Sequence, residues 1–301
     1  MYDIVIIGCG PAGMTSAIYA ARAGKKVLVL DKEGVGGQIA KSPLVENFPG
    51  FSAISGSDLA FSMFDQMGEL GVEYNLEEVL GVGKQQDSTF LVKTDRKEYS
   101  TKSIIVASGA NPVELNVPGG REYVGNGVYY CVVCDGPLFA DKDVLVIGSG
   151  NSGAQYAIEL AGYCSSVTIC DVTNAPCCEE MLKDKIISNS KITLKLPAKV
   201  TNILRTAGGK MLAEFEDGSQ VMTDGIFVAI GQRPSTKFLR KTIKLNDKEY
   251  VEAKENVYTS VKGIFVAGDC RVKNIRQAVA AAGDGAEAAI AAVKYINTLE
   301  G

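Results

Sequence analysis

The sequence contains no histidine. The side chain that ordinarily titrates near neutral pH is therefore missing, and any proton transfer must use another group. A closed zinc site wants four thiolate or imidazole ligands, and one Cys-x-x-Cys with neither a histidine nor a second such pair supplies only half of it. No metal is expected. Apolar runs long enough to cross a bilayer, roughly 20 residues, are also lacking. The N-terminus enters a strand pattern at Asp3 without a basic leader, so the expectation is a cytoplasmic chain with no membrane partner. An excess of basic residues is absent too: the net charge is −4, which provides no general field for nucleic acid. There is no low-complexity segment. Nor do the eight cysteines follow the spacing of a secreted disulfide framework, which points to a reducing compartment.

What the 301 residues do contain is enough chain for two domains of ordinary size. Midway along it lies Cys131-Val132-Val133-Cys134-Asp135-Gly136. Two intervening residues let a short turn bring the sulfurs together, and such a turn lowers one thiol pKa so that its thiolate can attack a disulfide. On the residues alone, a structural disulfide and half of a zinc site remain open beside dithiol chemistry. Cys9, Cys170 and Cys270 fall in or beside apolar strand patterns and read as small buried hydrophobes. Cys177-Cys178, adjacent thiols in a polar loop, receive no role.

The N-terminal stretch runs from an apolar strand, Ile4 to Ile7, through Gly8-Cys9-Gly10-Pro11-Ala12-Gly13 into a helix with small residues at Ala17, Ala20 and Ala21. A second strand, Val27 to Leu30, ends at Asp31. In this setting the glycines permit a tight turn, close approach to a pyrophosphate and close helix packing, and the acid accepts a ribose hydroxyl. The same unit returns with Asp143 to Ile147, Gly148-Ser149-Gly150-Asn151-Ser152-Gly153, a helix over Ala154 to Ala161, and a strand ending at Asp171. Gly8 to Asp31 and Gly148 to Asp171 span the same interval, so two dinucleotide-type folds share the chain. The fold class is α/β, with two Rossmann-like domains of the three-layer ββα type, the second inserted in the first.

Asn111-Pro112 and Arg233-Pro234 each follow an apolar strand ending in glycine, and proline there ends regular structure. The expected first domain is residues 1–113 with 243–301, and the inserted one is 114–242. Alternating residues from Glu73 to Lys102 and from Lys191 to Val221 suggest an antiparallel meander in each. A long Ala-rich helix is expected from Ala278 to Ile296.

With two dinucleotide units, a Cys-x-x-Cys-Asp-Gly at the head of the second, Gly36-Gly37-Gln38, Glu46 to Gly50, Gly268-Asp269 and Arg276-Gln277-Ala278, the chain resembles the low-molecular-weight thioredoxin reductases over nearly its full length. The resemblance implies a homodimeric FAD enzyme that reduces thioredoxin. Gly8, Gly10 and Gly13 would cradle the FAD pyrophosphate, and Asp31 would hold the adenosine ribose. Gly37, Gln38 and Asn47 would lie near the flavin. Gly268 and Asp269 would reach its ribityl chain or phosphate, and Arg276, Gln277 and Ala278 would open the final helix beside it. Cys134 would face the flavin, Cys131 would attack thioredoxin, and Asp135 would move the proton; its bland alternative is a cap on the following turn.

One departure stands out. Where family members using NADPH carry arginines for the 2′-phosphate, residues 171–177 read Asp-Val-Thr-Asn-Ala-Pro-Cys. An acid there repels that phosphate, so NADPH use is not expected. Either Gly148, Gly150, Gly153 and Asp171 bind NADH, or the second unit has lost its nucleotide and electrons come from ferredoxin or a deazaflavin. Tyr156 also stands where the family usually has Glu. Two other functions share the same cysteines: a flavin-dependent dithiol oxidase, and a non-catalytic flavin redox sensor.

Overall fold

The computed structural model describes residues 1–42, 44–86, 89–253 and 257–300. The chain forms two compact units, Met1–Asn111 with Arg233–Gly301, and Pro112–Gln232.

The first unit opens with strand β1 (Tyr2–Ile7), helix α1 (Pro11–Arg22), β2 (Val27–Asp31), α2 (Gly56–Glu69), β3 (Glu73–Leu76), β4 (Val79–Lys84), β5 (Phe90–Thr94) and β6 (Glu98–Val106). Helix α2 starts where the Ser55 side chain accepts the Asp58 N–H, and α1 starts with proline in its first turn, whose missing N–H costs nothing there. The chain leaves the unit through β7 (Ala110–Pro112).

The second unit holds β8 (Val128–Tyr129), α3 (Val132–Asp135), β9 (Asp143–Ile147), α4 (Asn151–Ala161), β10 (Ser166–Cys170), α5 (Glu180–Ser188), β11 (Ile192–Lys195), β12 (Val200–Arg205), β13 (Met211–Phe215), β14 (Gln220–Thr223) and β15 (Gly225–Val228). The return is through β16 (Gln232–Pro234), after which β17 (Ile264–Val266) and α6 (Ala278–Glu300) complete the first unit. This return lies earlier than residue 243, because Leu239 and Ile243 are buried in a first-unit cluster with Val79 and Phe90.

Each unit is built on the same plan. In the first, the sheet order is β3-β2-β1-β6-β5-β4, with β17 also on β6. β1 lies parallel to β2 and to β6. Successive residues of these strands alternate between two cores. Ile4, Ile6, Val27, Val29 and Ile105 pack with α1 and α6, whereas Val5, Ile7, Leu28, Leu30, Ile104 and Val106 pack with the β4–β6 meander. Burial on both faces is why the strands read as unbroken apolar runs. In the second unit the order is β11-β10-β9-β15-β8, with a separate sheet β12-β13-β14. Val144 and Val146 face α4, and Leu145 and Ile147 face the second sheet. Truncating one of these large buried residues to alanine costs about 2–5 kcal/mol.

The two expected meanders start too early. β3 pairs parallel with β2, and β11 pairs parallel with β10, so antiparallel pairing begins only at β4 and β12. Both are edge strands whose residues, Glu-Tyr-Asn-Leu and Ile-Thr-Leu-Lys, alternate polar and apolar types just as a meander strand does. Residues 87 and 88 of the first segment lie outside the described residues. Helix α6 runs to Glu300, past the expected Ile296.

Candidate active site

In the second unit, β8 delivers the chain through Tyr130 into Cys131, whose backbone is extended with φ −133° and ψ 106°. Cys131 and Cys134 form a disulfide with their Cα atoms 5.3 Å apart. The Cys134 N–H donates to the Cys131 sulfur at 3.2 Å, and the Asp135 N–H donates to the Cys131 carbonyl at 3.0 Å. Such an N–H is placed to stabilise a thiolate on Cys131 once the disulfide opens. Asp135 does not cap the following 3₁₀ turn. It is 8% exposed, and burial pushes its carboxyl from 3.8 to about 6, into the range useful for proton transfer near neutrality. The Tyr163 hydroxyl packs so closely that a Cβ on Gly136 would lie 2.2 Å from it, so a larger residue after Asp135 would require the Tyr163 side chain to move.

The first glycine turn is shaped by contacts that exclude side chains. Gly8 has φ +113°, and a Cβ on it would lie 2.2 Å from the Ala107 carbonyl oxygen; one on Gly13 would lie 1.8 Å from the Gly8 carbonyl oxygen. Gly10 caps α1 without a side chain, and a Cβ on Gly37 would touch Gly10 at 3.5 Å. Asp31 accepts from the N–H groups of Cys9 at 2.7 Å, Glu33 at 2.7 Å and Gly34 at 3.0 Å. Its carboxylate therefore fixes the turn and retains one of its roughly four acceptor positions.

Gly268 lies against Ala12, which brings the Gly268-Asp269 turn to the start of α1. The Asp269 Oδ1 is buried without a partner, and burial raises its carboxyl pKa against the pull of Lys273 and Arg276. The Arg276 Nε is likewise buried and unpartnered, its guanidinium 4.6 Å from the Tyr250 ring centre. Asn47 donates to Gln277 at 3.4 Å, Gln38 donates to Asn111, and Ala278 is the first residue of α6. Gly10, Gly13, Gly37, Gly268 and Asp269 thus gather at the start of α1, with Asn47–Gln277 and Gln38–Asn111 as separate pairs in the same unit.

The sequence reading missed Asp284, which organises this region. Its carboxylate accepts from the Gly268 N–H at 3.0 Å, from Arg271 Nε and Nη2 at 2.9 Å each, and from Lys273 at 2.8 Å. Burial pushes this carboxyl up, but Arg271 and Lys273 outweigh it and hold the group below its usual range. The available signal was an acid between two glycines in the first third of an alanine-rich helix.

The second glycine turn repeats the backbone of the first. Gly148 has φ +111°, and a Cβ on Gly153 would lie 1.9 Å from the Gly148 carbonyl oxygen. Asp171 accepts from Ser149 N–H at 2.6 Å, Ser149 Oγ at 2.7 Å and Val172 N–H at 2.7 Å. The loop after it then folds back: Cys177 N–H donates to the Ser149 carbonyl at 3.1 Å, and Asn151 and Glu179 exchange two hydrogen bonds of 2.9 Å. A carboxylate of the chain itself is therefore held by the first residue of α4. Residues 171–180 contain three acids and no lysine or arginine.

Comparison with known proteins decides the family. The model of the pyridine nucleotide-disulphide oxidoreductases matches residues 2–285. The chain belongs to that family, in its low-molecular-weight thioredoxin reductase branch. The chain is 37% identical to the thioredoxin reductase of Bacillus subtilis, covering 100% of this chain and 96% of that one. It is 38% identical to the "34.2 kDa protein in rubredoxin operon" of Clostridium pasteurianum, covering 98% and 97%. The solved thioredoxin reductase of Streptococcus pyogenes matches with a TM-score of 0.93 at 33% identity, covering 99% of both chains. As a member of this oxidoreductase family the chain is an enzyme, and membership implies FAD. The first unit fits that group: glycines shape the turn ahead of an α1 whose start has no side-chain cap, and buried polar atoms on Asp269 and Arg276 lack partners. Among the described residues no cluster suits a metal ion, and no helix is long and apolar enough to cross a membrane.

Proposed function

We propose that the chain is an FAD-dependent thioredoxin reductase whose donor is not NADPH. The observation that carries the reading is the Cys131–Cys134 disulfide joined directly to a buried carboxyl lifted to about 6. Gly8, Gly10, Gly13, Asp31, Gly37, Gln38, Asn47, Gly268, Asp269, Arg276, Gln277 and Ala278 would hold FAD, which would supply a two-electron couple for reducing the disulfide. Asp135 holds the proton that accompanies the electrons. The Cys131 thiolate then attacks a disulfide sulfur of thioredoxin, forming a mixed disulfide and releasing one thioredoxin thiolate. Cys134 attacks Cys131 in turn, which restores the Cys131–Cys134 disulfide and frees reduced thioredoxin. The six other cysteines are free thiols, in keeping with work in the cytoplasm.

The donor reading rests on charge. A 2′-phosphate would meet Asp171, Glu179 and Glu180 without a cation in the loop. NADH carries no such phosphate and has the intact glycine turn in its favour, but its pyrophosphate would still meet the Glu179 carboxylate at α4. A protein donor such as ferredoxin avoids this repulsion. Anaerobic titration of the oxidised holoenzyme, followed by flavin bleaching and then by thioredoxin reduction, tests the assignment. Bleaching by reduced ferredoxin is expected; rapid bleaching by micromolar NADPH would refute the donor reading, and no thioredoxin turnover with any donor would refute the reductase reading.

A further inference from the structure

Helix α4 leaves the second glycine turn and carries Tyr156 to the segment that enters the disulfide. The Tyr156 hydroxyl donates to the Tyr130 carbonyl at 3.0 Å. Tyr130 is held from its other end as well, because its own hydroxyl accepts the Leu115 N–H at 3.0 Å. Just before it, β8 pairs with β15 through Val128 and Tyr129. The peptide leading into Cys131 is thus fixed at its carbonyl, its side chain and its parent strand. This matters once the disulfide opens. The covalent tie between Cys131 and Cys134 is then gone, and only noncovalent contacts keep the Cys131 sulfur near the Cys134 N–H.

We propose that Tyr156 is a positioning residue for thiol–disulfide exchange: by holding the Tyr130 carbonyl, its hydroxyl keeps the Cys131 thiolate against the Cys134 N–H in the reduced enzyme. The side chain touches neither sulfur and acts through the 130–131 peptide. Tyr156 packs beside the buried cluster of α4, β9 and β10, so its ring has a place whether or not the hydroxyl bonds. Replacing the hydroxyl therefore separates positioning from packing. The charged and titratable groups acting on Tyr129, Tyr130 and Tyr156 at this turn include Asp135, Glu159, Glu114, Arg121 and Arg205.

The inference rests on Cys131 being the attacking thiol, and the test keeps the two apart. The reduced, FAD-loaded protein is alkylated anaerobically with limiting iodoacetamide over a range of pH, and the labelled cysteine is located by peptide mapping. In Tyr156→Phe the midpoint of the Cys131 rate profile is expected to rise by roughly half to one pH unit, with alkylation about three- to tenfold slower at pH 7, the scale of a loosened hydrogen bond to a charged group. The melting temperature and flavin spectrum should stay as in the parent. Tyr156→Met, which also lacks a hydroxyl, should shift the profile the same way. A profile unmoved in both variants, with Cys131 still labelled, overturns this inference alone. Labelling of Cys134 in the unaltered enzyme overturns it together with the assignment of the attacking thiol.

Discussion

The two glycine turns of this chain have nearly the same backbone and opposite surroundings. Gly8 and Gly148 sit at φ +113° and +111°, and each is followed at the same interval by an acid that accepts backbone N–H groups. Around the first turn, polar atoms of Asp269 and Arg276 are buried without partners, and Asp284 gathers Arg271 and Lys273. Around the second, the chain satisfies itself, with Ser149, Cys177 and Glu179 bonded back onto the turn. A buried polar atom without a partner costs free energy unless a ligand supplies one, so the first turn leaves polar atoms for a ligand to satisfy, whereas the groups named at the second are bonded by the chain itself. A glycine fingerprint therefore reports a backbone shape; the neighbouring charges decide whether it serves a nucleotide.

Four substitutions probe this contrast, beginning with the largest effect. Cys134→Ser should abolish thioredoxin reduction while the protein remains yellow, as read by turnover and flavin absorbance; loss of flavin would place the cofactor's dependence in the wrong unit. Gly13→Ala and Gly153→Ala each force a Cβ into a backbone carbonyl and should destabilise the fold by about 1–3 kcal/mol. Only the first should release flavin on gel filtration, and equal retention in both would erase the distinction between the turns.

The last is smaller and depends on pH. The folded protein binds the Asp135 proton more tightly than the unfolded chain, since burial lifts its carboxyl from 3.8 to about 6. That contribution favours folding below about pH 4 and is lost as pH rises through about 6. Above it, a buried charge opposes folding by about 2–3 kcal/mol. Asp135→Asn should accordingly stabilise the protein at pH 7.5 by about that amount, leave it unchanged at pH 4, and slow turnover. Denaturant unfolding at the two pH values separates this from a plain packing change.

Much of the candidate site's geometry was legible because it depends on local spacing. The Cys131–Cys134 interval sets the turn, the glycines set the phosphate-type loops, and unbroken apolar runs mark strands buried on both faces. The edge strands β3 and β11 were misread because their residue types alternate polar and apolar, a pattern that does not tell parallel from antiparallel pairing. Asp284 was invisible for a different reason: its partners Arg271 and Lys273 lie in a loop that only the packing of α6 brings alongside.

By itself the sequence determined the α/β class, the doubled glycine unit, the dithiol and the absence of arginines where a 2′-phosphate would bind. These are properties of residue type and near spacing, which survive in any arrangement of the chain. Only the tertiary structure decided that Asp31 is largely occupied by its own turn, that Glu179 is held at the head of α4, and that Tyr156 reaches the peptide before Cys131. Each depends on a hydrogen bond between residues far apart in the chain or separated by a folded loop, and hydrogen bonds are fixed by distance in space. The two turns share one pattern in the sequence; their neighbours in three dimensions set them apart.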